Sequence, residues 1–374
     1  MLHIKLGYTF TQTPDDKQQL KNPLFDILAA IHGTGSVAQA ARLLGLSYRH
    51  VWGTLKNWEG TLNCELIQWG RGKRARLSAF GEKLLFAEQR ARARVMPQID
   101  NLVAEMEREF ALAFDRGAHV ISMAASHDLA LPRLKDIMAQ QANLHLDLQF
   151  RGSVECIEAL SRGECMLAGF HVSEDRAAGT HTHKVFKRLL KPGKHKLITF
   201  VGREQGLMIA RGNPLNIRGI SDLTRPEVRF VNRQAGSGTR VEVDQLLMRH
   251  AISPEAVNGY DNIEPTHLSV AAAVASHRAD AGIGIQAAAA EFGLQFMPLF
   301  REQYYFACLK DTLNEPAMAR FLEILSRDQW RAAVSQLPGY DPSAGGRIVP
   351  LRAAMPWYTF KSPRTSSRTL VSTA

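Results

Sequence analysis

Three residues at fixed spacing constrain this chain most: Ala41, then Gly45 four residues on, then Val51 six further. The alanine lets two helices cross closely, the glycine permits a left-handed turn, and the valine packs the second helix back on the first. Ser36 and Ser47 stand where N-caps belong, so Ser36 to Trp58 reads as helix, tight turn, helix. On the outer face Tyr48, Arg49, His50, Trp52 and Lys56 are available to base edges or phosphates. An αα-hairpin with no DNA role would satisfy the same pattern.

The flanking sequence favours DNA. Residues 3–10 have partial apolar alternation and suit a short edge strand, and Asn22-Pro23 opens a supporting helix with Leu24, Phe25, Ile27, Leu28 and Ile31 on one face. Glu65 to Ser78 reads as two short strands around Gly70-Arg71-Gly72-Lys73-Arg74. A hairpin carrying Arg71, Lys73, Arg74 and Arg76 directly after a helix pair is expected to be a wing that reaches the DNA backbone or minor groove. A charge run is commonly only a solvated face, and its placement is what distinguishes this one. The net charge of +10 is concentrated here: eleven Lys or Arg between Arg42 and Arg94 face four Glu.

Ser78 caps a helix running from Ala79 towards Phe114, about 50 Å at ~1.5 Å per residue, with Pro97 expected to kink or divide it. Ile99, Leu102, Val103, Met106, Phe110 and Ala113 recur at three and four, an apolar stripe that needs a partner. Burial on its own domain is one solution. Pairing with a second copy is the favoured one, giving a homodimer, possibly assembled further into a tetramer, on a double-stranded operator.

Gly35-Ser36-Val37-x-Gln39-Ala40-Ala41, Gly45-Leu46-Ser47-Tyr48-Arg49-x-x-Trp52 and Leu77-Ser78-x-x-Gly81 together resemble the N-terminal domain of ModE-type molybdate regulators. They are similar, more loosely, to LysR-type winged helices. The resemblance covers about residues 20–110 and implies DNA binding and pairing of subunits through the long helix.

After a join at Asp115 to Ala118, the pattern changes to alternating strand and helix. Strands are expected at 119–125, 144–150 and 165–170, with helices near 128–141 and over Ser153 to Arg162, an order that means a parallel sheet. Further strands are expected at 196–200, 206–210, 228–232, 281–285 and 304–309. At 374 residues the chain is too long for one ordinary core. The expected organisation is α+β and multidomain: a winged helix-turn-helix (1–78), a linker and dimerisation helix with its join (79–118), a two-lobed α/β ligand-sensing domain (119–360, second lobe about 197–294) and a disordered tail (361–374).

Two lobes imply a cleft. Three strand-to-helix turns point into it: Ser126-His127-Asp128, Arg151-Gly152-Ser153, and Asn232 to Arg240 with Arg233, Ser237, Gly238 and Thr239. Such turns lie at the carboxyl ends of strands and open helices whose free N–H groups favour anions. His127 and His171, each just after an expected strand, are candidate ligand donors or gates, although a histidine merely ending a strand fits as well. Gly236 to Arg240 lacks the lysine and spacing of a P-loop, and Gly282-Ile283-Gly284 lacks a third glycine, so nucleotide sites are not expected.

Gly169-Phe170-His171, Gln205-Gly206-Leu207 with Gly212-Asn213-Pro214, Phe230-Val231-Asn232-Arg233 with Gly236-Ser237-Gly238-Thr239-Arg240, and Ala279-Asp280-Ala281-Gly282 look like periplasmic molybdate- and tungstate-binding proteins of the type II fold. That resemblance spans about residues 119–340 and implies a molybdate or tungstate effector. His127-Asp128 replaces a hydroxyl-rich run, which leaves formate, another small carboxylate or a cofactor precursor open.

Other classes fit less well. No cofactor is expected, and no catalytic set emerges, since Asp128 beside Ser126 more naturally serves a helix N-terminus. His181 and His183 lack acidic or cysteine partners at metal-ligand spacing, and Cys64, Cys156, Cys165 and Cys308 form no CxxC, so metal sites and disulfides are not expected. With no apolar run long enough to span a bilayer and no basic start followed by an apolar core, a cytoplasmic location away from membranes is expected. A cytoplasmic anion-storing protein, its helix pair used only for dimerisation, is the remaining alternative.

Overall fold

The computed structural model describes residues 10–11, 19–20, 23–70, 74–114, 119–140, 144–173 and 186–355. Several expectations lie outside them: most of the strand at 3–10, the wing-tip residues Arg71 and Lys73, the join at 115–118, His181 and His183, and the tail.

A two-residue ladder, β1 (Phe10–Thr11) with β2 (Gln19–Leu20), precedes the head. Helix α1 (Pro23–Thr34) buries Leu24, Phe25, Ile27, Leu28 and Ile31 against α2 (Val37–Leu43) and α3 (Tyr48–Leu62). Ala40, Ala41, Val51 and Leu55 complete this core, and Gly45 makes the turn at φ 65°. Strands β3 (Ile67–Trp69) and β4 (Ala75–Leu77) form the wing hairpin, tied back where Ala75 N donates to Gly35 O at 2.9 Å.

Helix α4 (Ala79–Phe114) runs unbroken through Pro97, against the expected division. Proline supplies no N–H to the carbonyl four residues back. That carbonyl, Ala93 O, instead accepts from Thr266 Oγ1 of the following domain at 3.1 Å. The helix therefore keeps its course by docking.

The second domain contains β5 (His119–Ala125), α5 (Ala130–Ala139), β6 (Leu144–Phe150), α6 (Ser153–Arg162), β7 (Leu167–Ser173), α7 (186–189) and β8 (His195–Ile209). It continues with β9 (Phe230–Arg233), α8 (Gly238–Arg249), β10 (Ile263–Glu264), α9 (His267–Ala275), β11 (Ala281–Ile285), α10 (Gln286–Glu291) and β12 (Gln295–Leu309). Helices α11 (Pro316–Ser326) and α12 (Asp328–Ser335), short strands β13 (Tyr340–Asp341) and β14 (Ile348–Val349), and α13 (Leu351–Ala354) close the described chain.

The sheet order is β10-β9-β11-β8-β12-β7-β5-β6. Around β5 and around β9 the neighbours are parallel, so each end is a parallel triplet, and the antiparallel pair β8 and β12 joins the two ends. The expected separate strands at 196–200 and 206–210 are thus one, and 304–309 is the end of a longer strand. Gly202-Arg203-Glu204-Gln205 has the composition of a turn, but Arg203 is neutralised in place by two carboxylates, and the backbone stays extended.

Helix α4 lies along both triplets. Arg90 and Arg94 hold Glu264 after β9 and β10, the second pair at 2.7 Å. Asn101 exchanges two hydrogen bonds with the backbone of Phe150, and Arg108 pairs with Asp147 at 3.1 Å. The apolar stripe divides accordingly: Ile99 and Val103 are half-buried, while Leu102 (54% exposed) and Met106 (42%) face outward.

Candidate DNA face and ligand cleft

In the head, Ser36 and Ser47 are caps, their hydroxyl oxygens accepting from Gln39 N and His50 N. Tyr48, Arg49 and His50 are exposed at the start of α3, and Arg74 and Arg76 are exposed on the wing. Trp52 is half-buried, its ring stacked on Tyr48 (6.4 Å) and tilted against Trp69 (5.8 Å), with Lys56 over it and paired to Glu59 at 2.7 Å. Trp52 and Lys56 shape this face, and among the described residues Arg49, His50, Arg74 and Arg76 are exposed.

A polar cluster lies on the antiparallel pair β8 and β12 at the middle of the sheet. Arg203 of β8 stands opposite Glu302 of β12 in register. Its Nε donates to Glu302, its Nη1 to Asp128 Oδ2 at 2.6 Å, and its Nη2 to His267 Nε2 at 3.4 Å. Asp128 also accepts from Ala130 N (2.7 Å), Tyr340 Oη (3.1 Å) and His171 Nε2 (3.4 Å). Burial pushes the Asp128 carboxyl up, but Arg203 and these donors outweigh it and hold it at about 2. Glu302 is lowered in the same way against its burial, mainly by Arg203.

Arg233, at the end of β9, is 8% exposed. Its Nη2 donates to Pro265 O at 2.8 Å, whereas Nε and Nη1 have no partner among the described residues. Burial and the neighbouring Arg203 lower it to about 10, still charged at neutral pH. His267 adds a second open donor: an arginine only donates, so Nε2 accepts and the proton sits on Nδ1, which is buried without a partner among the described residues. Burial and the nearby arginines lower His267 well below its ordinary range and His127 to about 4, so both are neutral.

Because His171 gives its Nε2 proton to Asp128, its Nδ1 accepts, and the Ser126 hydroxyl at 3.0 Å must donate to it. Ser126 in this state offers no proton to an anion. Ser126, His171 and Asp128 form a chain like a hydrolase relay, its imidazole lowered by burial and by Arg203.

Of the remaining candidates, Gly152 caps α6 with Ser153 buried in its first turn, and Ser237 caps α8, which Gly238 and Thr239 begin. No described hydrogen bond joins these five to the Arg203 cluster. His127 rests on the Phe150 ring at 5.0 Å. Arg203, His267, Glu302 and Tyr340 escaped sequence reading. The available signal was a charged pair in each of two strands, Arg203-Glu204 and Arg301-Glu302, whose buried members Arg203 and Glu302 require partners.

The fold joins a helix-turn-helix head to a domain built on one mixed sheet. Residues 24–82 match the bacterial regulatory helix-turn-helix proteins of the lysR family, and residues 134–326, more than half of the chain, match the PBP superfamily domain. The chain belongs to the PBP superfamily and carries a LysR-type helix-turn-helix ahead of that domain. It is 36% identical over 201 residues to the uncharacterized protein YvgK of Bacillus subtilis (strain 168), a match covering 54% of this chain and 64% of YvgK, less than two thirds of that protein. It is 31% identical over 112 residues, 29% of this chain and 96% of the other, to an uncharacterized protein in the ferredoxin 2Fe-2S gene 5' region of Clostridium pasteurianum. A peroxide-bound cysteine-to-serine mutant of OxyR from Corynebacterium glutamicum covers 86% of this chain and aligns over 95% of its own, at 13% identity and a TM-score of 0.43. No described helix is long and apolar enough to cross a membrane.

Proposed function

We propose that this chain is a cytoplasmic, dimeric transcription regulator, not an enzyme, whose DNA heads respond to a small anion held between the two lobes. The observation that carries the reading is Arg233, a buried charged guanidinium with two nitrogens unpaired among the described residues. A buried unpaired cation is costly, and an anion removes that cost. Its third nitrogen holds Pro265 O, and Pro265 sits between Glu264 and Thr266, the two residues that grip α4. Ligand contact and linker contact thus share one stretch of backbone, with α4 leading directly to the wing.

The resemblances to molybdate regulators and molybdate- or tungstate-binding proteins make a tetrahedral oxyanion the first choice of effector. Formate or another small carboxylate is the second, favoured because Arg233, unlike Arg203, has no direct carboxylate partner among the described residues. Leu102 and Met106, exposed on α4, support pairing with a second copy along this helix.

Fluorescence anisotropy of the full chain with duplex DNA, with and without molybdate, tungstate, sulfate, phosphate and formate, tests the proposal. Arg49→Ala is expected to weaken binding and reduce the salt slope by about 1. One of the anions should change DNA affinity several-fold, and Arg233→Leu should abolish that change. DNA binding insensitive to salt and to every anion would sink the reading.

A further inference from the structure

We infer that a dianionic oxyanion enters this cleft together with one proton, which His171 takes so that Ser126 can turn its hydroxyl to the ligand. The inference rests on the anion-regulated reading above and specifies the charge its site accepts.

His171 is faced from four elements: by Ser126 and Asp128 after β5, with His127 between them, by Glu302 and Tyr304 of β12, by Arg203 of β8 and by His267 of α9. With the Nε2 proton directed at Asp128, the Ser126 proton is committed to Nδ1. An oxyanion bound by Ser126 needs that same proton. Moving the imidazole proton from Nε2 to Nδ1 would aim a lone pair at the Asp128 carboxylate, which is repulsive. Adding a proton avoids this: Nε2–H stays on Asp128, the new Nδ1–H donates to Ser126 Oγ, and the Ser126 O–H is released to the ligand. No covalent bond changes apart from the transferred proton, which comes from solvent or from the singly protonated oxyanion itself.

Charge agrees with the hydrogen bonding. Arg203 and Arg233 balance Asp128 and Glu302, so the cluster is neutral before binding. A dianion with an imidazolium leaves one negative charge, the same as a monoanion with no proton. His171 also lies 3.9 Å from Glu302, so its charged form would stand between two carboxylates. Burial and Arg203 lower the imidazole, which makes the proton an uptake rather than a resident.

Titration calorimetry of the full chain with molybdate, sulfate and formate, in two buffers of different ionisation enthalpy between pH 7 and pH 8.5, tests this. A bound dianion should take up about one proton and lose about tenfold in affinity per pH unit, and formate should bind, if at all, with no proton. His171→Gln and Ser126→Ala should each leave a weaker dianion affinity that no longer varies with pH. A dianion bound by the unaltered protein without proton uptake overturns the inference and leaves the anion-regulator reading intact. No heat from any anion overturns both.

Discussion

Thr266 Oγ1 donates at 3.1 Å to the carbonyl of Ala93, the acceptor that Pro97 leaves empty, and the same oxygen accepts from Ser269 N to cap α9. One hydroxyl thus completes two helices in different domains. Thr266→Val keeps the shape and loses both bonds. An N-cap is worth about 1 kcal/mol and a buried carbonyl left unpaired costs about 1–3 kcal/mol, so a loss of about 2–4 kcal/mol is expected in urea denaturation. Pro97→Ala restores an intrahelical N–H for Ala93. The double variant should therefore be less unstable than the two single changes predict by addition.

Glu264 is buried between Arg90 and Arg94 at the end of β10, two residues before that hydroxyl. Glu264→Gln keeps the size and removes the charge that holds both arginines. Its expected effect is on coupling: DNA affinity without anion should change by no more than a few-fold, while the anion-induced change collapses. Anisotropy titrations with and without ligand measure both, and an unchanged anion response would remove α4 as the route between the sites.

The head was legible because its helices are short-range objects. Caps at Ser36 and Ser47, a turn glycine and periodic apolar residues are all read within a window of one helix pair, and each lies where the spacing put it. The parallel triplet around β5 was legible for the same reason, since α6 and β6 have their own boundary residues. The cleft was not. Arg203 meets Asp128, Glu302 and His267 across 64 to 99 positions of sequence, and only the sheet brings them together. Local composition made the Arg203 region a turn, while its neutralising partners lay elsewhere. Ser126 illustrates the remaining gap: its position follows from the strand-end rule, but its donor direction is set by His171, a residue 45 positions away.

Asp128 is the residue most exposed to acid. Its folded carboxyl is held at about 2, below the ordinary value of about 3.9, so it stabilises the fold fully above the ordinary value. That contribution, on the order of 2 kcal/mol, is lost as pH falls from about 4 towards 2. Asp128→Asn removes the pH dependence in that window and, by leaving Arg203 with one counter-ion fewer, destabilises at neutral pH by about 3–5 kcal/mol. Denaturation midpoints at pH 7, 4 and 3 for both proteins check the sign: the gap between them should narrow as pH falls.

Gly81 fixes the angle at which α4 leaves the wing. A Cβ there would lie 2.2 Å from the carbonyl oxygen of Leu66, a contact no side chain tolerates. Leu66 cannot yield easily, because its oxygen accepts from Ser78 N at 2.9 Å and its nitrogen donates to Glu59 Oε1 at 2.8 Å. Gly81 N in turn donates to Ser78 Oγ at 2.9 Å, so the helix start is held from both sides. Gly81→Ala should cost about 1–3 kcal/mol through forced displacement, despite the better helix propensity of alanine. Gly53, inside α3, has nothing within 4 Å of an added Cβ, so Gly53→Ala should stabilise by up to about 1 kcal/mol. Opposite signs in the melting temperatures of the two variants are the expected result. A gain in both would mean that the Leu66 contact does not constrain the helix. Anion binding, far from either glycine, should be unchanged by both substitutions.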